Sequence, residues 1–148
     1  MDAFSKLMVN GLTMVGIGAL AVGTLYVKNY YDHNVQYKDP ITKEVVLSQI
    51  DGILSHTQFT INDDGKVKIR RTWGNCGDYT VLEDYNGDKS VDRIYTLCTG
   101  VRGLDSINLF TKEHFASNSK LVEESNLEFK EQYDRFKPSL DKFLVGQK

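Results

Sequence analysis

Cysteine, proline and histidine are scarce in this chain, and their scarcity narrows the chemistry that it can carry. The 148 residues include two cysteines, two prolines and three histidines. Neither a Cys-x-x-Cys pair nor a close pair of histidines is present, which argues against the common zinc sites. The His-Glu-x-x-His and Gly-x-Ser-x-Gly signatures are also missing. His114 beside Glu113 is the best candidate base, but no nucleophile accompanies it, so the sequence leans against an enzyme.

An excess of basic charge is missing as well. The formal net charge is −2, and acidic and basic residues are interspersed along the chain. Domains that bind nucleic acids usually carry a basic patch or stripe. We therefore expect no nucleic-acid partner.

Charged residues are absent from one long segment, which makes it a candidate membrane span. The segment Leu7–Val27 contains no Asp, Glu, Lys or Arg. As a helix it would be about 30 Å long, which matches the hydrocarbon core of a bilayer. It is rich in glycine, which membrane helices tolerate, and Tyr26 and Lys28 lie at its far end like interfacial anchors. We expect residues 7–27 to form a single transmembrane helix, within an N-terminal membrane anchor that comprises residues 1–27.

A cleavable signal sequence is the alternative for the same segment. Its hydrophobic region would be shorter, roughly 7–15 residues, and a small-residue cleavage site would follow it. The one Ala-x-Ala site, Ala19–Ala21, lies inside the hydrophobic run. A retained anchor is favoured, with the N-terminus in the cytoplasm and residues 28–148 outside. If the segment is cleaved, the remaining domain would be secreted.

The rest of the sequence predicts a linker over residues 28–39 and an α+β domain over residues 40–148. Asp39–Pro40 is typical of a helix start, and the apolar spacing that follows predicts a helix over 40–55. The β-branched residues in that stretch would suit a strand equally well.

Later segments of this domain alternate between apolar and polar residues, which predicts strands. Residues 57–70 alternate around the turn Asn62–Gly65, which indicates a β-hairpin. Further strands are expected over 78–83, 93–98 and 107–110. From about Ser119 the apolar spacing becomes helical. The predicted fold class is therefore α+β: an N-terminal transmembrane helix, then a small antiparallel sheet with a C-terminal helix packed on it.

An acidic loop over residues 84–92 has the ligand spacing of a calcium site. Calcium binds six to eight oxygens at roughly 2.3–2.6 Å, and a turn that points alternate side chains inward can supply most of them. Gly87 relieves crowding at the tightest point of the turn. The expected ligands are the side chains of three residues, one backbone carbonyl and a closing carboxylate, in the order Asp84, Asn86, Asp88, Ser90 and Asp92. The alternative is a metal-free turn rich in Asp, Asn and Gly.

The pattern Asp-x-Asn-Gly-Asp-x-x-x-Asp resembles the calcium loops of FG-GAP and related integrin-type propeller repeats, and the EF-hand-like loops of exported microbial proteins. The resemblance covers about nine of the 148 residues. It implies calcium held between two strands. The loop occurs once, so a whole propeller is excluded. Tyr95 stands where an EF-hand has its bidentate Glu, which implies a weak site of about 10⁻⁴–10⁻³ M, as in extracellular modules.

The two cysteines lie on either side of this loop. If strands 78–83 and 93–98 are antiparallel with Glu83 facing Asp92, Cys76 falls one residue out of register with Cys98, which a bulge would correct. A Cys76–Cys98 disulfide would stabilise the fold by roughly 3 kcal/mol and would require an oxidising compartment. Two buried free thiols are the alternative.

Together these features favour a membrane-anchored extracytoplasmic module that binds other proteins or the cell surface. Its calcium and its disulfide would be structural. The alternative is an accessory subunit of a membrane protein complex, held there by its single transmembrane helix. The sequence leaves the protein partner and the oligomeric state open.

Overall fold

The described part of the chain forms an antiparallel sheet followed by a long helix. A computed structural model describes residues 18–25, 27–28, 35–73, 78–99 and 105–146. The strands are β1 (Gln36–Lys38), β2 (Val45–Gly52), β3 (Ser55–Ile61), β4 (Val67–Trp73), β5 (Asp78–Asp84), β6 (Arg93–Thr99) and β7 (Asp105–Thr111). They are followed by a short helix α1 (Lys112–Phe115), a 3₁₀ turn (Ala116–Asn118) and the long helix α2 (Ser119–Gly146).

The strands lie in the sheet in the order in which they occur in the chain, from β1 to β7. Each neighbouring pair is antiparallel. The hairpin expected over 57–70 is confirmed as β3 and β4, which join through a turn with Gly65 at a φ of 80°. The strands expected over 78–83, 93–98 and 107–110 are confirmed as β5, β6 and β7. The predicted α+β class, with an antiparallel sheet and a C-terminal helix, is correct.

The helix predicted over 40–55 is wrong, because this stretch forms a turn and strand β2. Asp39 does cap the turn that follows it, since its Oδ1 accepts hydrogen bonds from the backbone N–H groups of Ile41 (2.7 Å) and Thr42 (2.9 Å). The chain then turns and pairs with β3, where Val45 and Leu47 become buried. Burial of β-branched side chains on a sheet outweighs the local helix-start signal. The expected linker 28–39 likewise contains β1.

The core lies between one face of the sheet and helix α2. Six residues, one from each strand from β2 to β7, lie side by side across this face: Leu47, Phe59, Ile69, Leu82, Ile94 and Phe110. The fully buried ring of Phe59 stacks on Phe136 of α2 at 5.4 Å between centroids and meets Tyr133 edge-on at 5.8 Å. Helix α2 continues past Pro138 to Gly146. The apolar stripe predicted for the C-terminal helix is therefore the face that covers the sheet.

The opposite side of the sheet, here called the open face, has no helix packed on it among the described residues. Its β5–β7 part carries six apolar or aromatic side chains in two cross-strand rows, Val81–Tyr95–Leu109 and Tyr79–Leu97–Ile107. Leu109 is 49% exposed and Ile107 is 61% exposed. Beside these rows lies a charged row, Lys68–Glu83–Arg93.

The predicted membrane anchor lies mostly outside the described residues. Within the segment 7–27, residues 18–25 and 27 are described, and they are helical and exposed. Across the ranges that the structure describes, no helix combines the length and the hydropathy needed to span a membrane.

The structure does not test the predicted disulfide, because Cys76 lies outside the described residues. Cys98 lies on β6. The expected strand register is wrong by one residue, since Glu83 pairs with Arg93 rather than with Asp92. Asp92 instead donates its backbone N–H to the Glu83 carbonyl oxygen at 2.8 Å and closes the base of the loop. The Cys76–Cys98 disulfide remains a prediction.

Candidate calcium loop

The acidic loop begins at the last residue of β5 and ends just before β6. The Asp84 carboxylate is the central hydrogen-bond acceptor of this turn, and Asp84 is 1% exposed. Its Oδ1 accepts hydrogen bonds from the backbone N–H groups of Asn86 (3.1 Å) and Gly87 (2.7 Å), and its Oδ2 accepts one from Lys89 (2.9 Å). Gly87 and Lys89 have φ angles of 77° and 65°. A carboxylate that satisfies three backbone donors in this way holds the chain in a tight curl.

The outer part of the loop is organised by Asp88. Its Oδ1 accepts hydrogen bonds from the backbone N–H (2.8 Å) and the hydroxyl (2.6 Å) of Ser90. Its Oδ2 accepts one from the Asn86 side-chain amide at 2.9 Å, and its backbone N–H donates to Asn86 Oδ1 at 2.9 Å. The hydrogen bonds from Ser90, followed by the one from Asn86, lower the pKa of Asp88. Asp88 is therefore ionised at neutral pH.

The closing carboxylate, Asp92, is buried and faces a lysine from a distant part of the chain. Its Oδ2 accepts a hydrogen bond from the Tyr85 backbone N–H at 2.7 Å. Its Oδ1 is inaccessible to solvent and accepts no hydrogen bond of regular geometry, but the Lys112 ammonium of helix α1 forms an ion pair with it. This contact raises the pKa of Lys112 against the opposing effect of desolvation, and the charges of Asp88 and Asp84 add to the rise. Three loop carboxylates thus act on one positive charge.

Helix α2 holds the loop against the core. Val91 is 2% exposed and packs in the core, and its backbone N–H donates to the Asn126 side-chain oxygen at 2.7 Å. The Lys89 ammonium lies 5.1 Å from the centre of the Tyr133 ring, within the range of a cation–π contact. The shape of the loop therefore depends on both helices that follow the sheet.

The five predicted ligands lie in one continuous turn, but the carboxylate and amide oxygens among them are engaged within the protein. No group of three or more His, Cys, Asp or Glu side chains within the described ranges is arranged to hold a metal ion. The atom that best fits a cation is Asp92 Oδ1, because it is buried and has the Lys112 ammonium as its counter-ion. The hard oxygen donors suit calcium or another hard cation. Binding such an ion would require Lys112 and Asp88 to give up their present contacts.

A buried carboxylate on the open face supports the base of this loop. The side chain of Glu83 is 5% exposed and accepts hydrogen bonds from the Tyr85 hydroxyl and from Arg93, both at 2.5 Å. Lys68 completes the cluster at 3.2 Å. Burial raises the pKa of Glu83, but the hydrogen bonds from Arg93, Tyr85 and Lys68 outweigh it, so the pKa lies below its ordinary value of 4.5. Burial and the bond to Glu83 raise the pKa of Tyr85 to about 12.

We expect Glu83→Gln to destabilise the protein at neutral pH by about 1.5–3 kcal/mol, the range for hydrogen bonds to charged groups. Because the Glu83 pKa is lower in the folded state, its contribution is complete above the unfolded value near 4.5 and is lost as the pH falls through the folded value. Chemical denaturation of parent and variant between neutral and acidic pH would measure how much Glu83 stabilises the fold at each pH. The difference in unfolding free energy should shrink below pH 4.5.

The matched control is Glu124→Gln, which removes an exposed carboxylate paired with Lys120 on the surface of α2. An exposed pair contributes little, so this variant should follow the parent at every pH. If Glu83→Gln also follows the parent at every pH, the hydrogen bonds to Glu83 do not stabilise the folded protein.

Several residues of the site gave no local signal in the sequence. Lys112 and Asn126 lie far along the chain from the loop and reach it only because the sheet and α2 bring them there. Glu83 resembled an ordinary polar residue of a strand. No family model, no curated protein and no solved structure matches this chain.

Proposed function

We propose that this protein is a membrane-anchored extracytoplasmic module, built for binding or for structural support, in which the loop 84–92 holds a structural calcium ion. In this proposal residues 7–27 span the membrane and the sheet domain lies outside the cell. Asp84, Asn86, Asp88, Ser90 and Asp92 supply the oxygen ligands. The calcium fixes the loop and takes part in no reaction.

The observation that supports the calcium site is the convergence of three carboxylates on one positive charge. Asp92 contacts the Lys112 ammonium directly, and Asp84 and Asp88 are near enough to raise its pKa further. Three negative charges against two ammonium groups, Lys112 and the Lys89 ammonium over the Tyr133 ring, still leave a surplus of negative charge. A divalent cation would neutralise that surplus better than the lysines do.

Thermal unfolding of the full chain in detergent, first in EGTA and then in calcium, would test the proposal. Calcium from about 0.01 to 10 mM covers the roughly 10⁻⁴–10⁻³ M affinity of extracellular modules. The midpoint should rise with calcium, since a ligand at 100 times its dissociation constant stabilises the native state by about 2.7 kcal/mol. Asp88→Asn should abolish or strongly reduce this rise.

Asp64→Asn is the matched control, because Asp64 is an exposed aspartate in the turn between β3 and β4. It removes one negative charge that is paired with Lys66 and leaves the side chains of the loop unchanged, so the calcium response should be retained. A parent protein whose midpoint ignores calcium would mean that the loop is a metal-free turn. A response that Asp64→Asn reduces as much as Asp88→Asn would indicate screening of surface charge instead of a site.

A further inference from the structure

The two edges of the sheet are protected to very different degrees. Strand β1 is three residues long, ends in Lys38 and is followed closely by Pro40. Short edge strands, lysine and proline all hinder the addition of another strand. Strand β7 is seven residues long, and its stretch 106–111 contains neither a charged residue nor a proline. Among the described residues, β7 pairs with β6 alone.

The exposed apolar residues of the open face gather at this unprotected edge. Ile107 and Leu109 are 61% and 49% exposed, and both point to the open face. Behind them the apolar rows continue across β6 to Tyr79 and Val81 of β5. A patch of this kind beside a row of backbone N–H and C=O groups that no other described strand pairs with is a template for another strand.

The sequence of β7 places one large aliphatic residue on either side of Asn108, Ile107 before it and Leu109 after it, and this pattern identifies a partner strand that would fit. Two copies of β7 related by a two-fold axis pair antiparallel over the whole strand when Asn108 faces Asn108. Ile107 then lies opposite Leu109 of the second copy, and both lie on the open face. The row Val81–Tyr95–Leu109 of one copy therefore continues across the axis into the row Ile107–Leu97–Tyr79 of the second copy.

We propose that the β7 edge pairs with β7 of a second copy of this chain and forms a continuous fourteen-stranded sheet, twice the seven strands of one copy. The interface is isologous, so assembly stops at two copies. The outer edges of the dimer are then the two short β1 strands, which hinder the addition of further strands. Backbone hydrogen bonds supply the pairing and the apolar rows set the register. This pairing is independent of the calcium site.

A cysteine at the two-fold axis would test the register directly. In Asn108→Cys the two introduced thiols would lie on directly opposed residues, whose Cα separation of roughly 4.5–5.5 Å permits a disulfide. The full chain in detergent would be oxidised mildly, and 108–108 linkages would be quantified by non-reducing electrophoresis and mass spectrometry. The parent chain under the same oxidant accounts for Cys76 and Cys98. Most of the Asn108→Cys chain should become linked through residue 108.

Two controls separate specific pairing from random collision. Tyr37→Cys places a thiol on β1, where the side chain is 45% exposed, and should link far less. Adding Leu109→Lys to Asn108→Cys should reduce linkage about tenfold, a change of roughly 1.4 kcal/mol, whereas adding Leu127→Lys on the exposed side of α2 should not. Linkage no greater than that of Tyr37→Cys, or unaffected by Leu109→Lys, would overturn the proposal.

Discussion

Replacing Phe59 by alanine is expected to lower the free energy of unfolding by about 3–5 kcal/mol, the usual cost of removing a buried aromatic ring. Phe59 is fully buried in the row that crosses the sheet, and it contacts both Phe136 and Tyr133 of α2. Its loss leaves a cavity at the point where the helix and the sheet meet. Urea denaturation followed by circular dichroism would measure the change.

The control for this prediction is Leu127→Ala. Leu127 lies on the same helix but is 70% exposed, so its truncation should change stability by less than about 0.5 kcal/mol. Equal effects of the two substitutions would mean that α2 does not pack on the sheet through the stripe that contains Phe136.

Replacing Lys112 by methionine should have opposite effects in the absence and in the presence of calcium. Without calcium, Asp92 loses its ion-pair partner while it remains buried, and we expect the free energy of unfolding to fall. With calcium, the positive charge that opposes the ion is gone, and we expect about tenfold tighter binding. Unfolding in EGTA and isothermal titration with calcium would measure the two effects.

Lys89→Met is the matched control for the Lys112 substitution. It removes the same charge from within the loop, but the Lys89 ammonium lies over the ring of Tyr133, whereas that of Lys112 pairs with Asp92. Its calcium affinity should change much less than that of Lys112→Met. If both variants bind calcium with equal strength, net charge controls the affinity and the contact with Asp92 does not. If neither variant nor parent binds calcium, the calcium proposal fails.

Much of the sheet could be predicted from the sequence because its signals are local. The alternation around Asn62–Gly65 specifies a hairpin whatever surrounds it, and the same is true of the strands on either side of the acidic loop. The prediction failed at Asp39–Pro40, where a local helix-start signal competed with burial of Val45 and Leu47 against β3. Burial of those side chains depends on the rest of the sheet, so a short window could not decide between the two.

The candidate site also combines local features that the sequence predicts with long-range contacts that it does not. The ligand spacing from Asp84 to Asp92 is a local pattern, and these residues do lie in one turn. The contacts made by Lys112 and Asn126 depend on where α1 and α2 return to the sheet, which no spacing in the sequence reveals. The predicted register between β5 and β6 is wrong by one residue because Asp92 bonds the Glu83 carbonyl from within the loop and the strand pairing begins at Arg93.

The position of α2 after all seven strands has a consequence for biosynthesis. Neighbouring strands pair in chain order, so each hairpin is able to form as soon as its two strands are free to pair. The helix that covers Phe59 and its row emerges last of the described elements. Until then the nascent sheet presents a bare apolar surface, which is the kind of surface that aggregates or recruits a chaperone. Stop codons within α2 should therefore yield chains that depend on chaperones, even though every strand has been made.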